Sequence, residues 1–177
     1  PYVKFYLLII VLVLLVFALA RPQMGTKIED SKTNGVEVMF VLDVSKSMLS
    51  QDVTPSRLDN AKMMLSKLID KMSEDKVGMV VFAGDAFVQL PLTTDNVSAK
   101  MFLSTINTNT VPRPGTAIGA AIELATKCFP ESESGVGRSI IVITDGENHE
   151  DDAVKAAKEA NEKGIIVNVV GIGSPNG

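Results

Sequence analysis

The 177-residue sequence has no tryptophan, two tyrosines, one histidine and one cysteine. A single thiol, Cys128, excludes an internal disulfide and any zinc site built from cysteines. A single imidazole, His149, excludes histidine-rich metal centres, and the shortage of aromatic rings leaves no platform for stacking bases. Excess positive charge is lacking as well. A net charge of −4 and a pI near 5.0 give no electrostatic case for nucleic acid. Enzyme signatures are absent: there is no GxxxxGK[ST] phosphate loop and no GxSxG nucleophile elbow. Gly171-x-Gly173 follows a strand-like run, but Gly177 falls one position late for a dinucleotide fingerprint. Ser73-x-x-Lys76 matches a serine–lysine pair by letters alone. No small-molecule substrate is expected.

What is present is 46% hydrophobic and 21% charged, enough for one domain with a core and a short appendage. The chain starts at Pro1 and runs into apolar sequence, and Ser174-Pro175-Asn176-Gly177 follows a strand-like run with no closing helix. Both ends therefore read as cut from a longer protein. Phe5 to Ala20 is uncharged and almost wholly apolar, about 24 Å long as a helix. Tyr2, Lys4 and Tyr6 on one side and Arg21 on the other extend it into the interfaces of a bilayer. The rival is a signal peptide, with Lys4 as its basic end and Ala18-Leu19-Ala20 as its cleavage site. Against that stand the missing initiator methionine and the missing polar region before the cleavage site. A buried soluble helix would show some polar face, and this run has none. The expectation is a transmembrane helix with its flank over 1–21, a linker over 22–35 with room for one short strand, and a domain over 36–177, truncated at its C-terminus.

Within that domain strand and helix signals alternate. Val36 to Leu42 is an apolar run rich in β-branched residues, the pattern of a strand buried in a parallel sheet. Thr54-Pro55 suits a helix start, with threonine as cap, and Leu58, Ala61, Leu65, Leu68, Ile69 and Met72 follow on one helical face. Val77 to Phe82 is the second strand. Ala86 to Leu92 reads as an antiparallel edge strand, since Pro91 suits an edge. A helix over about 95–106 comes next. Ile118, Ala121, Ile122, Ala125, Cys128 and Phe129 then mark the face of another, with Cys128 as a small core residue. Ser139 to Thr144 is the fourth strand, 151–163 a helix closed by Gly164, and Ile165 to Ile172 the fifth strand. The fold class expected is α/β: a doubly wound, mostly parallel sheet with one antiparallel edge strand and helices on both faces.

Three segments place oxygen atoms where strands end or helices begin. Asp43, Ser45 and Ser47 follow the first strand, Thr116 opens a helix, and Asp145 follows the fourth strand. If those two strands are neighbours, the groups meet at the carboxyl rim of the sheet, where open α/β sheets bind ligands. Hydroxyls and carboxylates without His or Cys are hard ligands, suited to Mg²⁺, Mn²⁺ or Ca²⁺. The plain alternative makes Ser45 and Ser47 turn residues and Asp43 a loop cap. Lys46, between two ligand candidates, is expected to face solvent. Glu147 lies near the rim without joining the set. Glu150, Asp151 and Asp152 favour the start of the following helix, with His149 exposed beside them.

Asp43-x-Ser45-x-Ser47, Gly115-Thr116 and Thr144-Asp145-Gly146, in this order, resemble the metal-ion-dependent adhesion site of von Willebrand factor type A domains, over about residues 36 to 173. The resemblance implies that Ser45, Ser47 and Thr116 offer hydroxyls to Mg²⁺ while Asp43 and Asp145 act through bound water. Such sites bind proteins, capturing an Asp or Glu of a partner, and do not catalyse a reaction. A more local resemblance is to the aerotolerance-operon (Bat) membrane proteins of bacteria. It rests on the apolar segment running into Ala20-Arg21-Pro22-Gln23, on Pro55-Ser56-Arg57-Leu58 and on Gln89-Leu90-Pro91-Leu92-Thr93. It implies a place in the cytoplasmic (inner) membrane, with the domain on the outer, periplasmic side. Arg21, Lys27 and Lys32 argue mildly for the opposite side.

Three functions follow for testing. The first is a membrane-anchored module that captures an acidic residue through Mg²⁺. The second is a metal-dependent hydrolase or phosphotransferase with Asp43 as nucleophile, for which no general base is apparent. The third is a purely structural scaffold.

Overall fold

Seven consecutive residues with no solvent-facing alternation need cover on both sides, and strand β1 (Glu37–Asp43) is buried at every position. The computed structural model describes residues 2–19, 35–130, 135–146 and 152–174, with the backbone alone for 16–19. The other strands are β2 (Lys76–Phe82), β3 (Ala86–Thr93), β4 (Arg138–Thr144) and β5 (Ile165–Gly171). They form one sheet in the order β3-β2-β1-β4-β5, so β1 is central. It runs parallel to β2 and β4, β4 runs parallel to β5, and only β3 is antiparallel. Pro91 does sit on that edge strand, beside a shift in its register against β2.

The pleat sorts β1 between two cores. Val38, Phe40 and Leu42 point to one side, against Leu58, Ala61, Leu65 and Ile69 of α2 (Arg57–Lys71) and Ala99 and Leu103 of α3 (Asn96–Thr105). Met39 and Val41 point to the other, against Ile118, Ala121, Ile122 and Ala125 of α4 (Ile118–Lys127) and Ala156 and Ala160 of α5 (Ala153–Glu162). Burying each large apolar side chain of β1 contributes about 1.5–3 kcal/mol, which makes the strand the mechanical centre of the domain. Cys128 packs half-buried beside the second core, its Sγ donating to the Leu124 carbonyl at 3.3 Å.

At the amino end of β1 a charge is buried as well. Glu37 is 1% exposed and lies between Lys76 of β2 at 3.1 Å and Arg138 of β4 at 3.2 Å. Those residues are its register partners on the two flanking strands. A buried carboxylate is tolerated when paired in this way, and here the pairing ties three strands together at the end of the sheet away from Asp43.

Several expected boundaries move. The cap of α2 is Ser56, not Thr54: its backbone is extended and its Oγ accepts from Asp59 N at 3.1 Å while donating to the Asp59 carboxylate at 2.7 Å. That reciprocal serine–acid box sets the helix start at Arg57. Helix α5 starts behind Asp152, whose carboxylate accepts from Lys155 N at 3.0 Å. It closes, as expected, before Gly164 with φ +76°. The linker strand, Arg21, Glu147, His149, Glu150 and Asp151 lie outside the described residues.

The chain divides into two compact units, Pro1–Lys32 and Thr33–Gly177. The first holds α1 (Tyr2–Leu19), whose side chains from Tyr2 to Leu15 are all exposed. Its 18 residues reach about 27 Å at ~1.5 Å per residue, short of the ~30 Å hydrocarbon core. No helix among the described residues is long and apolar enough to cross a membrane. The transmembrane helix expected within 1–21 is therefore corrected to an apolar helix, α1.

Candidate functional site

Asp43 ends β1 as a fully buried carboxylate. Its Oδ1 accepts the Ser45 backbone N–H at 2.8 Å, and its Oδ2 accepts the Thr144 hydroxyl at 2.7 Å. The first bond tightens the turn out of β1. The second crosses to β4, where the register that pairs Leu42 with Ile143 puts Thr144 next. Val44 N donates to Phe82 O at 2.8 Å, carrying the chain over the end of β2. A short 3₁₀ helix, Lys46–Leu49, then curls back and is anchored by the buried side chain of Met48. This curl brings the Ser45 and Ser47 hydroxyl oxygens within 2.9 Å of each other, while Lys46 between them is exposed, as expected.

Thr116, also buried, reaches the same rim by a different route. Ala117 N donates to Ala83 O at 2.7 Å, and Gly84 N to Arg113 O at 3.0 Å. These bonds strap the segment before α4 onto the end of β2. The approach is close enough to require glycine at 84, because a Cβ there would lie 2.3 Å from the Pro114 carbonyl oxygen. Asp145 directly follows β4, with its side chain 1% exposed. Gly146, at φ +92°, turns the chain away and donates its N–H to Thr144 Oγ1 at 3.2 Å. The sequence-derived residues thus come from β1, the 3₁₀ turn, the start of α4 and the end of β4, at one end of the sheet.

Burial pushes the Asp43 carboxyl up from its ordinary value. Hydrogen bonds from Ser45 and Thr144 oppose that shift, and the negative charge of Asp145 adds to it. Among the described residues Asp43 has no ion-pair partner. Asp145 has one: Arg57 Nη1 lies 3.1 Å from its Oδ2. The same guanidinium grips Asp52 with Nε and Nη2, both at 2.9 Å, and Asp52 also accepts the Ser174 N–H at 2.7 Å. The Arg57 pair holds the Asp52 carboxyl far below the usual carboxylate range.

The donor set of three hydroxyls and two carboxylates fits a hard divalent cation. The buried Asp43 carboxyl, with no ion-pair partner among the described residues, is the observation that speaks for one. No cluster of three or more His, Cys, Asp or Glu occurs among the described residues, so a metal held here would rely on the serine and threonine oxygens. Thr144, Arg57 and Asp52 escaped the reading of the sequence as members of the site. Thr144 lay inside a recognised motif, and its place at the end of β4 was the available signal. Arg57 is 88 positions from Asp145, and no local pattern links them.

A von Willebrand factor type A domain profile matches residues 38–147. Among solved structures, the chain is 62% identical to the conserved hypothetical protein BatB from Bacteroides thetaiotaomicron, with a TM-score of 0.78 over 81% of this chain and 69% of that one. It is also 62% identical to an aerotolerance-related membrane protein from Bacteroides fragilis, with a TM-score of 0.77 over 81% and 70%. A UPF0353 protein from Mycolicibacterium paratuberculosis is 31% identical over 181 residues, covering 94% of this chain and 52% of its own length. The chain spans about half the length of the curated relatives it matches.

Proposed function

Because the chain belongs to the von Willebrand factor type A domain family, and to its Bat-type branch, we propose that it is a membrane-associated protein-binding module. In this reading Asp43, Ser45, Ser47, Thr116 and Asp145 hold Mg²⁺, and the ion captures an Asp or Glu of a partner protein. The single observation that carries the reading is the buried Asp43 carboxylate, without a cationic partner among the described residues, beside two hydroxyl oxygens 2.9 Å apart. Bound there, Mg²⁺ would supply a Lewis-acidic charge that attracts a carboxylate, because three of the five donors are neutral hydroxyls and Asp43 and Asp145 would act through bound water. The chain's own work is to hold the donors. Thr144 and Ser45 N fix Asp43, the Met48 anchor fixes the serine turn, and Arg57 fixes Asp145.

The same contacts disfavour the hydrolase reading. Asp43 is 0% exposed and its carboxylate is tied down by Ser45 N and Thr144 Oγ1, away from any substrate in solution, whereas holding a metal through bound water does not require it to leave that position. The membrane setting and the link to aerotolerance are carried over from the description of the Bacteroides fragilis relative, and from them we infer a place in a bacterial envelope complex linked to stress or aerotolerance. Helix α1 would supply the apolar attachment. Crosslinking in native membranes, with Mg²⁺ or with chelator, tests the function. A partner recovered only with Mg²⁺, and lost in Ser45→Ala/Ser47→Ala, is the expected result. Recovery indifferent to both would favour a scaffold, and Asp43-dependent turnover of a phosphate ester would favour the enzyme. A reporter fused after Gly177 reads the side of the membrane, expected to be the outer one.

A further inference from the structure

Beside the proposed metal rim, and sharing Ser45 with it, lies a cavity of about 180 Å³. Its lining includes Val44, Lys46, Thr108, Asn109 and Arg113. The volume is well below the ~300–1,000 Å³ of small-molecule sites and suits one side chain of a larger ligand. The walls are pre-formed. Asn107 N donates to Thr110 Oγ1 at 3.1 Å, Asn109 N to Asn107 Oδ1 at 2.9 Å, and Thr110 N to Asn107 O at 3.0 Å. The Gly84 contact with Pro114 pins the other end of the loop.

The charge of the lining is one-sided. Lys46 and Arg113 are both exposed, and no lining residue is acidic. Arg113 is steadied at the mouth by Asp85 at 3.2 Å, while Lys46 has no ion pair among the described residues. In a chain of net charge −4, two cations around a small cavity next to a cation site form a local exception. The donors of Thr108 and Asn109 suit an oxygen acceptor as well.

We propose that this cavity is a second anchoring subsite, which takes a second carboxylate of the same partner segment. The preferred partner is then a protein segment with two acidic residues, one for the metal and the other for Lys46 and Arg113. This deepens the metal-capture reading and rests on it for the first carboxylate alone.

Fluorescence anisotropy of the full chain with dye-labelled peptides tests the idea, using peptides with one glutamate or with two separated by one or two glycines. With Mg²⁺, the better two-glutamate peptide should bind the wild type about three- to tenfold more tightly than the one-glutamate peptide, given the modest strength of partly exposed pairs. Lys46→Gln should bring that ratio close to one, Lys46→Glu should invert it, and added salt should shrink it. Equal binding of both peptides by the wild type, or an unchanged ratio in Lys46→Gln, overturns the subsite. Free glutarate binding as tightly as the peptide overturns a protein segment as its occupant. The two readings fail separately. If the one-glutamate peptide binds without regard to Mg²⁺ while Lys46 still sorts two carboxylates from one, metal capture falls and the subsite stands.

Discussion

Divalent metal should stabilise this domain, and Asp43→Asn should remove that effect while leaving the fold in place. In the metal-free chain Asp43 is a buried carboxyl whose ionised form is disfavoured by burial and by Asp145. A bound cation reverses that balance, and ligand binding to the folded state alone adds RT ln(1 + [L]/Kd). At a hundredfold excess over Kd this is about 2.7 kcal/mol. For a chain of this length each kcal/mol moves Tm by about 2–4 °C, so the wild type should gain about 5–11 °C. Asparagine keeps the shape and can still accept the Thr144 hydroxyl. Its amide then faces the Ser45 N–H, donor against donor; turned over, it accepts from Ser45 N and donates to Thr144 Oγ1, and the Thr144 hydroxyl hydrogen loses its acceptor, so one donor is stranded either way. A mismatched donor of this kind costs about 1–3 kcal/mol, partly offset because no buried charge remains. The variant should therefore melt a few degrees lower without metal and shift by less than 1–2 °C with it. Differential scanning fluorimetry with Mg²⁺, Mn²⁺ and EDTA reads both numbers. The sign with pH is also set. Because the folded carboxyl titrates above its unfolded value, metal-free stability rises as pH falls through that raised value, and protons then compete with metal, so the metal-induced gain should shrink on acidification. A wild type unmoved by any divalent ion, or an Asp43→Asn variant that keeps half of the shift, would rule out a metal held by Asp43.

Glu37→Ala should cost about 2–4 kcal/mol in urea denaturation, since it leaves Lys76 and Arg138 facing a vacated buried site, and should leave the metal-induced shift intact because it acts at the opposite end of β1. Gly84→Ala should cost about 1–3 kcal/mol and weaken metal binding by calorimetry, because its Cβ must displace the Pro114 carbonyl 2.3 Å away and with it the strap that places Thr116. Asp52→Asn should be less stable than the wild type at pH 6. The difference should narrow at pH 3 and below, since the depressed Asp52 carboxyl contributes above the ordinary value of ~3.9 and that contribution fades as pH falls toward the folded value.

Much of the fold was legible because it rests on periodicity. The uninterrupted apolar runs of β1 and β4 announced strands covered on both faces, and Pro91 marked the edge. The motif residues were legible because each stands at a strand end or helix start. Less so was the cap of α2, where Thr54-Pro55 and Ser56 both offer a plausible start and only the bonds between Ser56 and Asp59 decide. The apolar run announced a helix, and α1 spans Tyr2–Leu19, but apolarity alone did not establish a membrane crossing.

By itself the amino-acid order determined the α/β alternation and the central strand read at Val36 to Leu42, and it nominated Asp43, Ser45, Ser47, Thr116 and Asp145 as candidate oxygen donors. These follow from short-range patterns, in which each residue's neighbours announce its role. Tertiary structure alone decided that Arg57 grips Asp145 and Asp52 together, that Lys76 and Arg138 close on Glu37, and that Lys46 and Arg113 flank one cavity. Each of those joins residues far apart in the chain, and nothing local encodes which distant charge a long, flexible cationic side chain will find. Packing of β1 between β2 and β4 brings them into range, and the cost of burying an unpaired carboxylate selects the partner.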